Sequence, residues 1–380
     1  MVKEKKVQST GRKTGSMKQR SMDLMIFYLV LILVGIGLMM VFSASYVQAE
    51  IRYGDSLHFL KKNLFFSIAG FFLMYGISKV NYKVYKKLAL PLMIINVILL
   101  IYTLTNDPIK GSRRWIRLPG FTLQTSEFTK YSCIIMTATV LSRFKNNLGH
   151  LRAFGEPLFY VAVSLGLIMQ QRDLSTSMTI FVVFIGMLFV SGMPLLNVLF
   201  SLLVVAAPGF AYMASTSENS AYQMGRIQSY INSFSDYMQG GHQVIQSLYA
   251  LASGGIRGLG LGRSRQKFFY LPEPQNDFIF AIIGEELGYI GVVIILLLFA
   301  FLIGKCMSLV LKAPDMFGSM LVAGVGLQVG IQILFNVGVV TGLLPNTGIA
   351  LPFISYGGTS LLVSMAAMGI VLNVSRYRKR

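Results

Sequence analysis

The chain has 380 residues, of which 54% are hydrophobic and 13% are charged. Because water-soluble domains carry roughly a quarter charged residues, this composition excludes a set of soluble domains and indicates a protein that lies in lipid. The net charge of +19 would suggest nucleic-acid binding in a soluble protein. In a membrane protein basic residues set the topology, and we therefore expect no nucleic-acid partner.

The chain begins with a basic tail, residues 1–22, and then becomes apolar. No cleavage site follows the first apolar run, so we expect that run to stay in place as a membrane anchor. A run of about twenty uncharged residues can cross a hydrocarbon core roughly 30 Å thick, and it must be helical because lipid offers the backbone no hydrogen-bond partners. The clearest such runs are residues 24–42, 88–105 and 195–214.

The hydropathy pattern predicts ten transmembrane helices, and thus an all-α polytopic membrane protein. The predicted spans are residues 24–44, 63–78, 88–105, 127–142, 156–171, 175–192, 196–215, 278–304, 316–341 and 358–374. They form a membrane domain, residues 23–375, that ends at a second basic tail, residues 376–380. One large loop, residues 216–277, separates spans seven and eight.

The basic residues predict which side of the membrane each loop faces. Of the 34 Lys and Arg, 20 lie in the two tails and in the loops at residues 79–87, 143–152 and 305–312. These segments share one side if the helices alternate, and the positive-inside rule makes that side the cytoplasm. Both termini are then cytoplasmic, and the large loop is extracytoplasmic.

The other 14 Lys and Arg fall on the predicted outer side, where such charge is unusual. Four of them surround the single tryptophan, one begins the next span, and others lie in the large loop: Lys110, Arg113, Arg114 and Arg117 around Trp115, then Lys130, then Arg257, Arg263, Arg265 and Lys267. The pattern favours an anion held at the membrane surface, such as a lipid phosphate or pyrophosphate. Charges that merely face water or headgroups are the alternative.

The large loop is too long to be a simple connection, and long ordered loops often carry function. Val244, Leu248 and Leu251 recur at helical spacing before Gly254, which predicts a short amphipathic helix. The glycine-rich run that follows, residues 254–262, would suit either a phosphate cradle made of backbone N–H groups or a set of turns.

Carboxylates are few, so each one is informative. Asp277 stands where the polar loop meets an apolar helix. It suits a helix N-cap and a general base at the lipid interface about equally well. Glu285 and Glu286 lie two turns deeper, where an ionisable group must face a polar interior. They fit a proton or substrate path, or a structural pair with Lys130 or Arg114.

Residues for metal or disulfide chemistry are scattered. His58, His150 and His242 are far apart in the sequence, and no HExxH motif occurs, so we predict no metal site of the histidine type. Cys133 lies at the start of one predicted span and Cys306 just past the end of another, near opposite ends of the membrane, so we expect no disulfide bond.

Three segments carry the most specific pattern in the chain. They are residues 246–262, residues 266–281 with the string Leu-Pro-Glu-Pro-Gln-Asn-Asp-Phe-Ile-Phe-Ala, and residues 284–288, Gly-Glu-Glu-Leu-Gly. Shorter pieces lie at residues 114–116, 126–130, 352–358 and 372–376. Together they resemble the SEDS family (shape, elongation, division and sporulation) from the first span to the C-terminus, with motifs closer to its FtsW and SpoVE branch than to RodA.

Two places depart from the family pattern. Residues 171–175 read Gln-Arg-Asp-Leu-Ser where the family usually has Gln-Pro-Asp-Leu-Gly, and Thr125 replaces a proline. Losing Pro and Gly changes the stiffness of a turn, so these two loops are expected to differ from their counterparts in the family.

The resemblance implies a peptidoglycan glycosyltransferase that polymerises lipid II into glycan strands at the outer face of the cytoplasmic membrane, in division or sporulation. It implies as partners a class B penicillin-binding protein and other divisome or sporulation membrane proteins. Asp277 matches the family's essential aspartate, as general base for the acceptor 4-hydroxyl. Arg114 and Lys130 match basic residues near the substrate. The matched motifs add four candidate substrate-binding residues, Asp173, Lys267, Glu273 and Ser355.

The chemistry expected of such an enzyme agrees with the outer-face charges. Glycan elongation needs one base and positive charge for the departing pyrophosphate. No cofactor is predicted with certainty, although a divalent cation, Mg²⁺ or Mn²⁺, would suit the pyrophosphate. Two other functions remain open on the sequence, a lipid II transporter (flippase) and a non-enzymatic scaffold for a penicillin-binding protein.

Overall fold

The structure, a computed structural model, describes residues 20–108, 111–118, 121–214 and 242–379. Within these ranges the chain forms eleven helices and one two-stranded antiparallel sheet. The first seven helices are α1 (Leu24–Tyr53), α2 (His58–Lys79), α3 (Lys83–Leu104), α4 (Thr125–Arg143), α5 (Leu151–Gln170), α6 (Leu174–Val190) and α7 (Leu195–Ala214). The last four are α8 (His242–Gly254), α9 (Ile279–Lys312), α10 (Met316–Val340) and α11 (Gly358–Ser375). The hairpin of β1 (Trp115–Leu118) and β2 (Phe121–Gln124) joins α3 to α4.

A helix coincides with each of the ten predicted spans, namely α1 to α7 and α9 to α11. By length and composition, six of the described helices could cross a membrane: α1, α3, α5, α9, α10 and α11. Two shorter apolar stretches are α6 and the part Leu195–Val205 of α7. The all-helical architecture of a multi-pass membrane protein is thus confirmed, whereas the count of ten spans and the side that the large loop faces stay predictions.

Helix α4 contains many buried polar residues, so hydropathy gives only a weak signal for this predicted span. It packs against α3, α5 and α10, and its polar side chains are buried among these helices. The Thr129 hydroxyl, for example, donates to Asn96 Oδ1 on α3 at 2.6 Å. Since neighbouring helices supply the hydrogen bonds, α4 tolerates a composition that lipid would penalise.

The two ends of the described chain lie together. The Arg20 N–H donates to the Arg376 carbonyl at 2.9 Å, and the Arg378 guanidinium pairs with Asp23 at 2.9 Å. The termini therefore meet on one side of the bundle, as an even number of spans requires. That this side is the cytoplasm stays a prediction, and residues 1–19 and 380 of the two predicted tails lie outside the described residues.

The short helix predicted in the large loop is confirmed as α8, which ends at Gly254. Residues 216–241 of the predicted loop lie outside the described residues. The two cysteines are both free thiols, as expected.

The glycine-rich run after α8 packs against a break in α9 and does not form a phosphate cradle. Gly288 has φ +67° and ψ −169° within α9, which frees the carbonyls of the preceding turn. The N–H groups of Leu259 and Gly260 donate to the Glu285 and Glu286 carbonyls at 2.9 and 3.0 Å. A Cβ built at Gly258 would lie 2.2 Å from the Glu286 oxygen. Glycine is therefore required there for close contact between two backbones.

Candidate active site

A cavity of about 730 Å³ opens between α2, the β-hairpin, α4, α6 and the segments at 273–277 and 347–360. Four basic and four acidic side chains line it: Lys62, Arg114, Arg117 and Lys130, with Glu127, Asp173, Glu273 and Asp277. The structure thus brings together five of the seven predicted site residues, which the sequence scatters over 164 positions from Arg114 to Asp277. Lys267 and Ser355 are not in the cavity wall.

Asp277 lies at the end of the large loop, two residues before α9 begins, and is partly exposed. The N-cap position of α9 is Phe278, which makes no side-chain capping bond. Asp277 directly precedes this position, so both explanations for it, a helix cap and a general base, stay predictions. Its Oδ2 lies 3.9 Å from where a Cβ on Gly348 would stand, so the opposite wall is close.

Glu273 and Asn276 form the turn that leads to Asp277. Glu273 has φ +47°, a left-handed conformation that non-glycine residues seldom adopt. The side-chain amide of Asn276 donates to Glu273 Oε2 at 2.9 Å, which holds the turn closed. Across the cavity, Tyr356 donates its N–H to the Gln275 carbonyl at 2.9 Å. Burial raises the pKa of the Tyr356 phenol, so that this side chain stays neutral and able to donate.

Arg114 is held by the turn before α6. Its Nη1 lies 3.4 Å from Asp173 Oδ1, and its Nη2 donates to the Arg172 carbonyl. The Asp173 carboxylate also accepts hydrogen bonds from Ser126 and Thr176 and caps α6. Because these contacts occupy its oxygens, Asp173 is better placed to orient the Arg114 guanidinium than to contact a substrate.

Lys130 pairs with Glu127 one turn earlier on α4, with Nζ and Oε1 2.8 Å apart and both side chains buried. Glu127 is a cavity residue that the sequence analysis did not select. The available signal was a second ionisable residue three positions from Lys130, on the same face of a membrane helix.

Four buried polar atoms on cavity-lining residues have no hydrogen-bond partner in the described part of the chain: Arg114 Nε, Glu127 Oε2, Asn276 Oδ1 and Thr347 Oγ1. Buried polar groups are nearly always paired, so these four atoms are available to hydrogen-bond to water or to a polar ligand in the cavity. Asn276 and Thr347 were also missed by the sequence analysis, because an uncharged polar residue in a loop has no distinctive pattern.

Lys267 and the two deep glutamates form a separate cluster. Lys267 Nζ lies 3.0 Å from Glu286 Oε1, and both side chains are 0% exposed. Glu286 also accepts from the Ser43 hydroxyl on α1, and Glu285 accepts from the Ser264 hydroxyl and the Arg265 N–H. The suggestion that Glu285 or Glu286 pairs with Lys130 or Arg114 is wrong. Lys130 and Arg114 pair with other carboxylates, which line the cavity.

The Ser355 side chain hydrogen-bonds to the main chain in this structure. Its hydroxyl accepts the Leu351 N–H at 2.8 Å, which closes a turn beside the cavity. Of the remaining basic residues, Arg257, Arg263 and Arg265 do not line the cavity, and Lys110 lies outside the described residues. Within the described ranges, no three His, Cys, Asp or Glu side chains group as a metal site.

The family of cell cycle proteins that comprises FtsW, RodA and SpoVE matches residues 23–380. The chain belongs to this family. It is 43% identical over 366 residues to stage V sporulation protein E of Bacillus subtilis (strain 168), covering 95% of this chain and 99% of that relative. It is 41% identical over 357 residues to a probable peptidoglycan glycosyltransferase FtsW of Trichlorobacter lovleyi, covering 93% of each. The resemblance inferred from the motifs is thus confirmed.

Solved structures show the same fold at lower identity. The rod shape determining protein RodA of Thermus thermophilus superposes with a TM-score of 0.69 and 24% identity, over 94% of this chain and 98% of that one. A chain of a peptidoglycan synthase complex, described as coordinating polymerization and crosslinking, superposes with a TM-score of 0.74 and 24% identity over the same shares. The family's helical bundle is therefore the fold of this chain.

Proposed function

We propose that the chain is a peptidoglycan glycosyltransferase that polymerises lipid II into glycan strands at the outer face of the cytoplasmic membrane, in cell division or sporulation. The observation that carries the proposal is that Asp277 and four cationic side chains line the same cavity. Glycan elongation requires that pairing, since the acceptor hydroxyl must lose a proton while pyrophosphate departs with negative charge. The names of the curated relatives support the same activity.

The proposed roles follow from the contacts. Asp277 is the general base that takes the proton of the acceptor 4-hydroxyl. Arg114 and Lys130 hold the donor pyrophosphate, and the remaining basic side chains of the wall, Lys62 and Arg117, extend the positive surface. Arg114 is suited to the role because Asp173 fixes its guanidinium while leaving Nε without a partner in the described chain.

A divalent cation, Mg²⁺ or Mn²⁺, is a further proposal for this cavity. Mg²⁺ in enzymes is commonly held by one or two carboxylates together with substrate phosphates. Glu127 fits that requirement, since its Oε2 is buried at the wall without a partner in the described residues. When bound, the cation would neutralise pyrophosphate charge.

We further propose that the chain works with a class B penicillin-binding protein and with other division or sporulation membrane proteins. The fold matches a chain of a complex that joins polymerization to crosslinking, which supports this assignment.

The two rival functions, a lipid II transporter and a scaffold, would require different structural features. A lipid II transporter would use the deep carboxylates along a route through the bundle, yet Glu285 and Glu286 are occupied by Lys267, Ser43 and loop N–H groups. A scaffold for a penicillin-binding protein would need no cavity with unpaired polar atoms. Both observations favour the polymerase.

Purified protein mixed with lipid II in detergent separates the three functions. We expect glycan chains, visible after electrophoresis, because polymerisation needs no sealed compartments. Parent protein that binds lipid II but makes no glycan would overturn the proposal. Reporters fused after Arg380 and inserted near Ser235 test the face of the site, and we expect cytoplasmic and external signals respectively.

A further inference from the structure

A second cavity, of about 670 Å³, lies at the other end of α4 from the candidate active site. Helix α4 contributes Glu127 and Lys130 to the first cavity and Ser142, near its C-terminal end, to the second. The wall of this lysine cavity is Lys83, Lys86, Lys87, Ser142, Lys145, Pro314, Asp315, Met316, Phe317 and Lys379. Five of these ten residues are lysines, drawn from three separate stretches of the chain.

The lysines are assembled around the cavity by defined contacts. Lys86 Nζ lies 5.9 Å from the centre of the Phe317 ring, across the cavity. The main-chain N–H of Lys379 donates to the Lys312 carbonyl at 2.7 Å, which ties the C-terminal end of the described chain to the rim. The first residue of α3 belongs to the wall, so one helix N-terminus adds to the positive potential, whereas Asp315 caps the N-terminus of α10.

The described part of the chain offsets only a small part of this charge. Asp315 is the sole carboxylate in the wall, and its two oxygens accept from the Gly318 N–H and the Tyr82 hydroxyl, each at 2.8 Å. No ion pair joins any of the five lysines to a carboxylate within the described ranges. The N-terminal tail does not supply the missing charge either, since residues 1–19 carry six Lys and Arg but one Glu.

The surroundings indicate which anion the cavity takes. The lysine segments are those that the positive-inside rule assigns to the cytoplasmic side. Along α3, the lysines give way to exposed apolar side chains, including Val84, Leu88 and Ile94 at 41%, 40% and 52% exposure. In a bilayer that surface meets acyl chains, so a lipid could place its phosphate among the lysines and its tails along α3.

We propose that the lysine cavity binds the phosphate of an acidic phospholipid in the inner leaflet. Topology alone requires basic loops, but it does not require lysines from three stretches of the chain to share one cavity with the N-terminus of α3. The ammonium groups recognise the phosphate as point charges, and the open side of the cavity admits the headgroup.

Native mass spectrometry of the purified full chain in detergent tests this proposal. The probes are phosphatidylglycerol, which is acidic, and phosphatidylcholine, which has the same phosphodiester but no net charge. Lys86→Gln/Lys145→Gln removes two charges from the wall. Lys79→Gln/Lys305→Gln is the matched control, because both lysines lie on the same predicted side but outside the cavity, each near an aromatic ring.

We expect parent and control to bind phosphatidylglycerol equally and in preference to phosphatidylcholine. The cavity variant should bind it roughly thirtyfold more weakly, as two lost basic residues near an anionic lipid imply. Equal binding by the two variants would overturn the proposal. So would displacement of the lipid by equimolar inorganic phosphate, which would show a site for a soluble anion. Lys79, Lys86 and Lys145 are exposed and Lys305 is half-buried, and matching thermal unfolding curves establish that the variants fold.

Discussion

The side-chain amide of Asn336 donates to the main-chain oxygen of Asp277 at 2.7 Å, and to that of Ile349 at 2.8 Å. One residue of α10 thereby ties the end of the large loop to the segment on the opposite wall of the cavity. The position of the proposed base depends on this tie, since displacing a catalytic group by about 1 Å can lower a rate roughly a hundredfold.

Asn336→Leu should lower the rate of lipid II polymerisation per folded molecule by about tenfold to a hundredfold. It keeps most of the side-chain volume but removes both hydrogen bonds. Asn373→Leu is the matched control, because Asn373 is also buried and makes two main-chain hydrogen bonds, to Tyr82 and Ser78, elsewhere in the bundle. Both variants should lose roughly 1–3 kcal/mol of stability. Equal rates for the two folded proteins would contradict a positioning role for Asn336.

Asp277→Asn tests the base directly, since asparagine has similar shape but no useful basicity. We expect the polymerisation rate to fall by about 10² to 10⁴ while the melting temperature stays near that of the parent. Asp277→Ala should lose activity as well, and a fall in stability of roughly 1 kcal/mol would assign the carboxylate a capping role too. Glu273→Gln should lose less activity than Asp277→Asn. If Asp277→Asn retains the parent rate, the base lies elsewhere, and Glu273 becomes the next candidate.

Substitutions in the Lys130–Glu127 pair distinguish a role of Lys130 in substrate binding from a role in charge pairing. Lys130→Met leaves the Glu127 carboxylate buried without its partner, so we expect about 3–5 kcal/mol of destabilisation as well as low activity. Lys130→Met/Glu127→Gln removes both charges and should recover most of the stability. Its polymerisation should stay at least tenfold below the parent, because the pyrophosphate contact is still lost. Recovery of activity along with stability would limit Lys130 to a structural role.

Arg172 occupies a conformation that the family's usual proline could not adopt. Its φ is +63°, and its N–H donates to the Met169 carbonyl at 3.0 Å, whereas a proline ring holds φ near −65° and has no N–H. Arg172→Pro should therefore unfold more easily by about 1–3 kcal/mol and displace the carbonyl that accepts Arg114.

Arg172→Gly is the matched comparison, since glycine accepts a positive φ without strain. We expect it to melt close to the parent and to polymerise lipid II at a similar rate. Chemical denaturation and the lipid II assay on both variants check the pair. Identical behaviour of the Pro and Gly variants would show that the left-handed turn is dispensable.

Substitutions at Lys267 test whether this residue contacts substrate or has only a structural role. Lys267→Met should destabilise the protein by about 3–5 kcal/mol, because it leaves Glu286 uncompensated. Lys267→Met/Glu286→Gln should recover stability and, unlike the Lys130 double variant, should also recover polymerisation, since Lys267 is not in the cavity wall. A stable double variant without activity would restore the sequence-based prediction that Lys267 contacts substrate.

The amino-acid sequence was sufficient for the membrane class, the positions of the ten helices, the short helix α8 and the family. Hydropathy and helical periodicity are properties of neighbouring residues, so they can be read along the chain. The motifs around Asp277, Arg114 and Lys130 are equally local, and their resemblance to the SEDS family selected these three residues in advance as members of one site.

The pairing of charges was decided by tertiary structure alone. Glu286 meets Lys267, 19 residues away in sequence, and Ser43, 243 residues away. The sequence had suggested either a proton or substrate path for the two glutamates or a pair with Lys130 or Arg114. Glu127 and Thr347 belong to the cavity only because α4 and the segment before α11 converge there. A buried ionisable group must have a partner, but the sequence does not specify which one. That choice depends on which helices pack together and on which faces meet.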